Sequence, residues 1–264
     1  MKKRLPYLFI LFTFLFSCTS PKKEQSKKEN FSDAERLGRQ YLAECLKAHG
    51  DLTIWNQFSL LSYKKMDHGI ASYQTIDLRN RKTHHKTDTY QIGFDGENVW
   101  VYPNRAAFPN EGSVRFFYNI DFYFFATPFV MADSGTNAEF DGQKVVNGKT
   151  YDVIKITYER TVGFTPEDIY YLLIDSKTRQ LKILLYTISF LDKSNTKLTA
   201  KVYEWQEYNG FLLPKKMENY AWENDNLGEN KHHSREFSEI KLSKDIIDES
   251  IFIAPDGAFI EPEN

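Results

Sequence analysis

After residue 50 the apolar residues recur mostly with a period of two, and short turn signals interrupt them. A period of two puts successive side chains on opposite faces of an extended chain, so it selects strands over helices. The candidate strands are 53–66, 71–81, 84–94, 97–102, 151–159, 168–175, 180–191, 198–208, 211–222 and 231–242. Asp95-Gly96, Asn147-Gly148 and Asn209-Gly210 are dipeptides that suit tight hairpin turns, and Asp175-Ser176-Lys177-Thr178 is a fourth turn. Strands that follow one another through tight turns predict one large antiparallel meander. With the helices described next, the fold class is mainly β with helices (α+β). No repeat of 20–50 residues is visible, which argues against a propeller.

The segment 180–191 reads QLKILLYTISFL. Leu181, Ile183 and Leu185 point one way, and Leu184, Tyr186, Ile188 and Phe190 the other. A strand apolar on both faces belongs inside the sheet, covered on both sides. Strand 201–208 mixes charge with Tyr203 and Trp205, so one of its sides is wetter.

A helix precedes the strands. Ser32-Asp33-Ala34-Glu35 is a capping box with Phe31 as the staple position. Leu37, Tyr41, Leu42, Cys45 and Leu46 follow at helical spacing, and Gly50 supplies the stop, which predicts a helix over 33–49.

One stretch departs from both patterns: 116–132, FFYNIDFYFFATPFVMA, with six Phe, two Tyr and a single charge at Asp121. It is too short, and too interrupted by Asn119, Asp121 and Pro128, to span a bilayer. Three readings fit it: a core helix or plug, an aromatic lid over an apolar cavity, or a segment that dips into a bilayer surface.

The N-terminus is a targeting segment. Lys2, Lys3 and Arg4 precede an apolar run from Leu5 to Phe16, shorter than the roughly 20 residues a transmembrane helix needs. The run ends Leu15-Phe16-Ser17-Cys18, similar to the bacterial lipobox despite the bulky Phe16. Residues 1–17 are therefore expected to be removed as a signal peptide, leaving Cys18 as the lipidated residue. Residues 19–30, TSPKKEQSKKEN, lack apolar periodicity and read as a flexible tether with a reach of roughly 20 Å. Its lysines are solvated or rest on anionic headgroups. Thr19 after the cysteine points to the outer membrane, and the basic tether favours the periplasmic face. Residues 31–264 are expected to form a single domain.

Cys45 is then the remaining unmodified cysteine, so no internal disulfide is available and the core must supply the stability. The charged fraction of 27% excludes a wholly disordered chain. The near balance of 34 basic and 36 acidic residues gives no footprint for nucleic acid.

Several stretches carry a resemblance. They are 122–130 (FYFFATPFV), 163–170 (GFTPEDIY), 209–214 (NGFLLP) and 252–255 (FIAP). Together with the lipobox, tether, single helix and meander, they resemble an uncharacterised family of envelope lipoproteins, the DUF6503-type proteins, of the lipoprotein-localisation-factor (LolA/LolB-like) superfamily. The resemblance implies an incomplete antiparallel barrel wrapped around helices, with an apolar cavity and the possibility of lipid binding. It brings no catalytic residues.

The chain's own chemistry is sparse. Cys45 and His49 lie at i, i+4 with Asp51 behind, spacing that suits a thiol–imidazole pair or a plain helix end. The pairs His84-His85 and His232-His233 each offer at most one ligand to a site, because strand neighbours point to opposite faces. A metal site would need those strands to converge with Glu236 or Asp88, and none is expected. Arg79, Arg81, Lys82 and Lys86 form a basic cluster that is either a solvated hairpin end or a seat for phosphates. No P-loop, GxGxxG or GxSxG motif is present, and no cofactor is expected.

The expected function is therefore a non-enzymatic, membrane-anchored lipoprotein that binds a lipid or other apolar ligand between sheet and helical lid. The alternative is a structural lipoprotein with a self-filled cavity that binds an envelope protein. The residues expected to line the cavity, chosen by aromatic content and strand phase, are Trp55, Leu60, Trp100, Phe122, Phe125, Phe129, Tyr186, Tyr203 and Trp205.

Overall fold

In the computed structural model, which describes residues 31–160, 165–190, 194–245 and 248–262, the first helix starts at its cap. Ser32 Oγ accepts the Glu35 amide and the Glu35 carboxylate accepts the Ser32 amide, which opens α1 (Asp33–Ala48). The signal segment, Cys18 and the tether lie outside the described residues. After α1 the chain makes one more helical turn, α2 (Leu52–Trp55), where strand periodicity predicted extended chain. Asp51 causes the difference: it adopts φ 75° and its carboxylate accepts the Thr53 amide 2.8 Å away, which starts a turn that buries Trp55.

The first meander comprises β1 (Leu60–Asp67), β2 (Ile70–Asp77), β3 (Thr83–Lys86), β4 (Gln91–Phe94) and β5 (Val99–Tyr102). The expected single strand 84–94 is two, because Thr87 Oγ1 accepts the Thr89 and Tyr90 amides and folds the chain back. Helix α3 (Val114–Phe125) and a 3-10 turn at Phe129–Ala132 occupy the aromatic stretch. The second meander comprises β6 (Thr136–Val146), β7 (Lys149–Tyr158), β8 (Tyr170–Asp175), β9 (Leu181–Tyr186), β10 (Thr199–Tyr208), β11 (Phe211–Glu223) and β12 (Asn226–Ser243), and β13 (Phe259–Ile260) follows. Strand β6 escaped the periodicity because it carries Glu139, Asp141, Gln143 and Lys144 and is bulged between Phe140 and Gln143. The hairpin dipeptides turn as expected, with Asn147-Gly148 at φ 49° and 74° and Asn209-Gly210 at 50° and 83°.

Among the described residues, all strands join one antiparallel sheet of thirteen, in the order β13-β5-β4-β3-β2-β1-β12-β11-β10-β9-β8-β7-β6. The first strand of one meander pairs with the last of the other, Leu60 opposite Ser243 and Asp67 opposite Arg235. The sheet is an incomplete barrel: β13 and β6 are its edges, and it does not close.

The large core lies where α1, α2 and α3 pack on one face of the sheet, bringing Leu46, Trp55, Phe125 and Phe129 against Leu61, Leu184, Phe211 and Phe237. Gly38 lets α1 seat on β6, since a Cβ there would lie 2.5 Å from the Glu139 carbonyl carbon. The opposite face carries a second apolar cluster that includes Val153, Leu173, Ile183, Leu185 and Trp222. Strand β9 is thus covered on both faces, as its two-sided apolarity demands. Leu181 departs from the expected alternation and joins the large core. A bulge is the reason: Leu173 faces Ile183 while Ile174 faces Leu181, so Lys182 is the extra residue.

Candidate functional site: an apolar cavity beside helix α3

Helix α3 is positioned by its buried acid, Asp121. Asp121 is buried and ion-paired with Lys65 of β1, accepts from Gln74 Nε2 of β2 at 2.9 Å, and lies 3.7 Å from Arg235 of β12. Burial alone would raise the Asp121 carboxyl pKa, but Lys65 and Arg235 outweigh it and hold the group well below the usual range. Arg235 also donates through Nε to Asp67, 3.0 Å away. This network fastens α3 across the sheet and leaves its other side facing β7, β8 and β9.

Between that side and the strands lies a cavity of about 300 Å³. Phe116, Ile120 and Tyr123 of α3 form one wall, and Tyr158, Tyr170, Tyr186 and Ile188 the other. The rings brace one another: Tyr123 and Tyr170 centroids are 5.6 Å apart, Tyr158 and Tyr170 5.7 Å, and Phe124 and Tyr186 4.9 Å. Phe116 stacks on Phe190 at 4.3 Å beside it. Burial raises the phenols of Tyr158 and Tyr170, and it pushes Tyr186 up to about 12, so all three are neutral donors at physiological pH.

Polar side chains also border the cavity: Arg81, Arg115, Asn119, Asp133, Thr165, Asp168 and Thr187. Asp168 accepts from Thr187 Oγ1 at 2.9 Å and from the Ser189 amide at 2.8 Å, which pins the loop before β8 to the end of β9. Asn119 Oδ1 is buried without a hydrogen-bond partner among the described residues. Arg115 turns away to the carbonyls of Glu261 and Pro262. Arg81 donates to both oxygens of Asp133 at 2.9 Å with its guanidinium over the Phe122 ring. The Arg81–Asp133 pair also borders a smaller cavity of about 180 Å³ lined by Leu52, Trp55, Phe58 and Phe129.

Of the residues expected to line a cavity, Phe122 and Tyr186 line the larger one and Trp55 and Phe129 the smaller. The other five line neither. Phe125 is fully buried and stacked on Tyr63 at 4.1 Å. Tyr203 donates to the Phe124 carbonyl and carries Trp205 stacked at 4.7 Å. Trp100 donates to the Phe252 carbonyl 2.9 Å away and so seats the C-terminal segment. Leu60 starts β1 in the pairing with β12. Aromatic content marked the interior in general; it did not separate walls from filling. Ile120, Tyr158, Asp168, Tyr170 and Ile188 also line the larger cavity and carry no sequence signal for it, because a cavity depends on which rings fall short of contact.

The other candidates resolve as follows. Cys45 is fully buried and burial pushes its thiol up to about 12, while both ring nitrogens of His49 meet backbone groups. His84 Nε2 lies 2.8 Å from Gln91 Oε1, His85 is buried, and His232 is exposed. His233 leaves Glu236 and meets Asp67 at 2.6 Å, and Asp88 is an exposed loop residue. In the basic cluster, Arg81 pairs with Asp133 and Lys82 with Glu249 at 2.8 Å. Lys201, to which strand periodicity gave no special place, is 1% exposed, with Nζ 2.6 Å from Asn219 Oδ1 and 4.2 Å from the Phe124 ring centre. Burial lowers its pKa well below the ordinary lysine value.

No helix among the described residues is long and apolar enough to cross a membrane. No curated protein matches the chain at a significant level. Among solved structures, a DUF1329 family protein from Desulfovibrio piger matches with a TM-score of 0.51 at 10% identity, covering 83% of this chain and 98% of that one. A LolA superfamily protein from Nitrosomonas europaea gives 0.49 at 11% identity, over 82% of this chain and 97% of that one. A domain assigned to an outer membrane lipoprotein-sorting protein from Vibrio parahaemolyticus gives 0.49 at 9%, over 82% and 97%. The first of these is a likeness of fold. The resemblance read from the motifs at 122–130, 163–170 and 209–214 is borne out, since all three fall within residues 113–226, the span that matches DUF6503, a family of unknown function.

Proposed function

We propose that this is a non-enzymatic, membrane-anchored protein of the cell envelope that holds a lipid or another apolar ligand between α3 and strands β7–β9. The observation that carries the reading is the cavity of about 300 Å³ with aromatic and aliphatic walls. That volume stands at the lower end of small-molecule sites and is about twice that of an engineered cavity that takes benzene. It suits one stretch of acyl chain or a small ring system, not a lipid with several chains. Burying about 200 Å² of hydrocarbon contributes about 5 kcal/mol. The non-enzymatic reading is supported by neutral phenols, a buried high-pKa thiol and a histidine engaged by backbone. In this reading residues 1–17 are removed, Cys18 carries the lipid, 18–30 form the tether, and 31–264 are one domain at the periplasmic face of the outer membrane.

A second reading has one observation in its favour: much of the helix-covered face is filled by the chain's own rings. Phe125 stacks on Tyr63 at 4.1 Å and Trp55 on Phe129 at 4.4 Å. A self-filled interior would leave the surface to a protein partner. Native mass spectrometry of the delipidated, refolded protein after exposure to envelope lipids separates the two. Capture of one ligand per chain, abolished in Ile188→Trp, supports the first reading. No captured mass, or equal capture by the variant, favours the second. A Cys18→Ala chain should leave the membrane fraction, and a variant that stays there contradicts the anchor.

A further inference from the structure

The turn between β1 and β2 brings three metal-ligating groups together that the sequence spreads over 167 residues, Asp67 to His233 inclusive. Ligand atoms of Asp67, His68 and His233 all lie within 4.8 Å of one another. His68 and Gly69 both take positive φ, 48° and 79°, the geometry of a two-residue hairpin turn. The turn places the exposed His68 ring edge-on to the His233 ring of β12, with centroids 4.6 Å apart. Asp67 Oδ1 lies 2.6 Å from His233 Nε2 and 3.8 Å from His68 Nε2.

We infer that Asp67, His68 and His233 form a binding site for a divalent transition metal of the zinc type, with solvent in the remaining position. Two imidazoles and one carboxylate are a donor set zinc takes, at 2.0–2.2 Å per bond. A tetrahedral ion at those distances separates its ligands by about 3.3 Å. The observed 2.6 and 3.8 Å bracket that value, so the two contacts of Asp67 close with shifts of roughly 0.5–0.7 Å, and the two imidazoles start within 4.8 Å of each other. His68 can supply its share, as an exposed turn residue. On binding, the Asp67–His233 hydrogen bond gives way to two metal bonds, and the proton of neutral His233 resides on Nδ1.

The surroundings set both the geometry and the strength. Arg235 Nε holds the other carboxylate oxygen, Asp67 Oδ2, at 3.0 Å and so keeps Oδ1 turned toward the imidazoles, an outer-shell role. Lys65 lies 3.9 Å from the same oxygen. These two cations oppose an incoming dication, but both also face the buried carboxylate of Asp121. Two positive and two negative groups leave the site neutral before it binds, so no net charge of the network draws the dication in.

The test uses the purified, untagged protein and zinc alone, with bound metal measured after equilibrium dialysis and affinity by calorimetry. About one zinc per chain with micromolar affinity is expected. His68→Asn, which keeps a residue tolerant of positive φ, and His233→Ala should each weaken binding by more than the roughly tenfold that losing an outer partner costs. His232→Ala, at the exposed neighbouring position, should bind as the parent does. Less than half an equivalent of zinc bound at about 100 µM, roughly a hundredfold above a Kd of about 1 µM, or unchanged affinity in His68→Asn, overturns the assignment.

Discussion

His49 closes α1 by accepting the Leu181 amide on Nε2, 3.1 Å away, so one imidazole joins the first helix to the middle of the sheet. Its Nδ1 lies 3.3 Å from the Leu212 carbonyl, and the ring sits edge-on to Trp205 at 4.3 Å. Accepting at one nitrogen and donating at the other is possible only for the neutral ring. Burial lowers its pKa to about 4, and burial lowers that of His85 to about 3. Unfolded, both return to about 6.5. Above that pH neither state binds the proton and the stability they contribute is complete. As pH falls from 6.5 toward 4, the unfolded chain takes up protons that the folded one refuses, and up to about 3 kcal/mol is lost through His49. Urea midpoints should therefore fall over this range before the carboxylates titrate. His49→Gln should show a shallower fall; an identical slope would count against the assignment.

Gly38 has a second element's backbone where a side chain would be. A Cβ at this position would meet the Glu139 carbonyl carbon at 2.5 Å, so Gly38→Ala must lift α1 from β6. A loss of about 1–3 kcal/mol or more is expected despite the gain in helix propensity. Thermal unfolding measures it, and a stabilised variant would contradict the close approach.

Asp121→Asn removes the charge that Lys65 and Arg235 share. Lys65 and Arg235, with side chains 12% and 19% exposed, would be left to share the single carboxylate of Asp67. Breaking a buried ionic group of this kind costs about 3–5 kcal/mol. Because Asp121 fastens α3, amide exchange should rise first across Val114–Phe125. Uniform exchange would show that the helix is held by its rings instead.

Filling residues and wall residues should separate experimentally. Phe125 is fully buried, so Phe125→Ala should cost about 3–5 kcal/mol. Phe116, half-buried at the cavity, should cost clearly less when cut to Ala, yet alter ligand capture. Equal stability losses from the two would erase the distinction between wall and core.

The elements that were legible in the sequence are those whose local chemistry agrees with their tertiary place. Ser32 and Glu35 announce α1, and Asn147-Gly148 and Asn209-Gly210 announce their hairpins, because cap and turn geometry are decided within a few residues. Strand β6 was hidden because it lies at an edge and carries charges where an inner strand carries aliphatics. The bulge that turns Leu181 inward was hidden because it depends on the partner strand β8. The site was less legible still. Phe122 and Phe125 are indistinguishable in sequence, three residues apart on one helix, yet one borders the void and the other fills the core. His68 carries no local signal of a site because its partner His233 is 165 residues away.

The proposed apolar guest enters between α3 and β7–β9. Methyl-resolved NMR during titration with dodecanoic acid reads this site directly. Saturable shifts are expected at Ile120, Val130 and Ile188, which line the cavity, and none at Val153 or Ile183 on the opposite face. An absence of saturable shifts, or shifts confined to the opposite face, would contradict it.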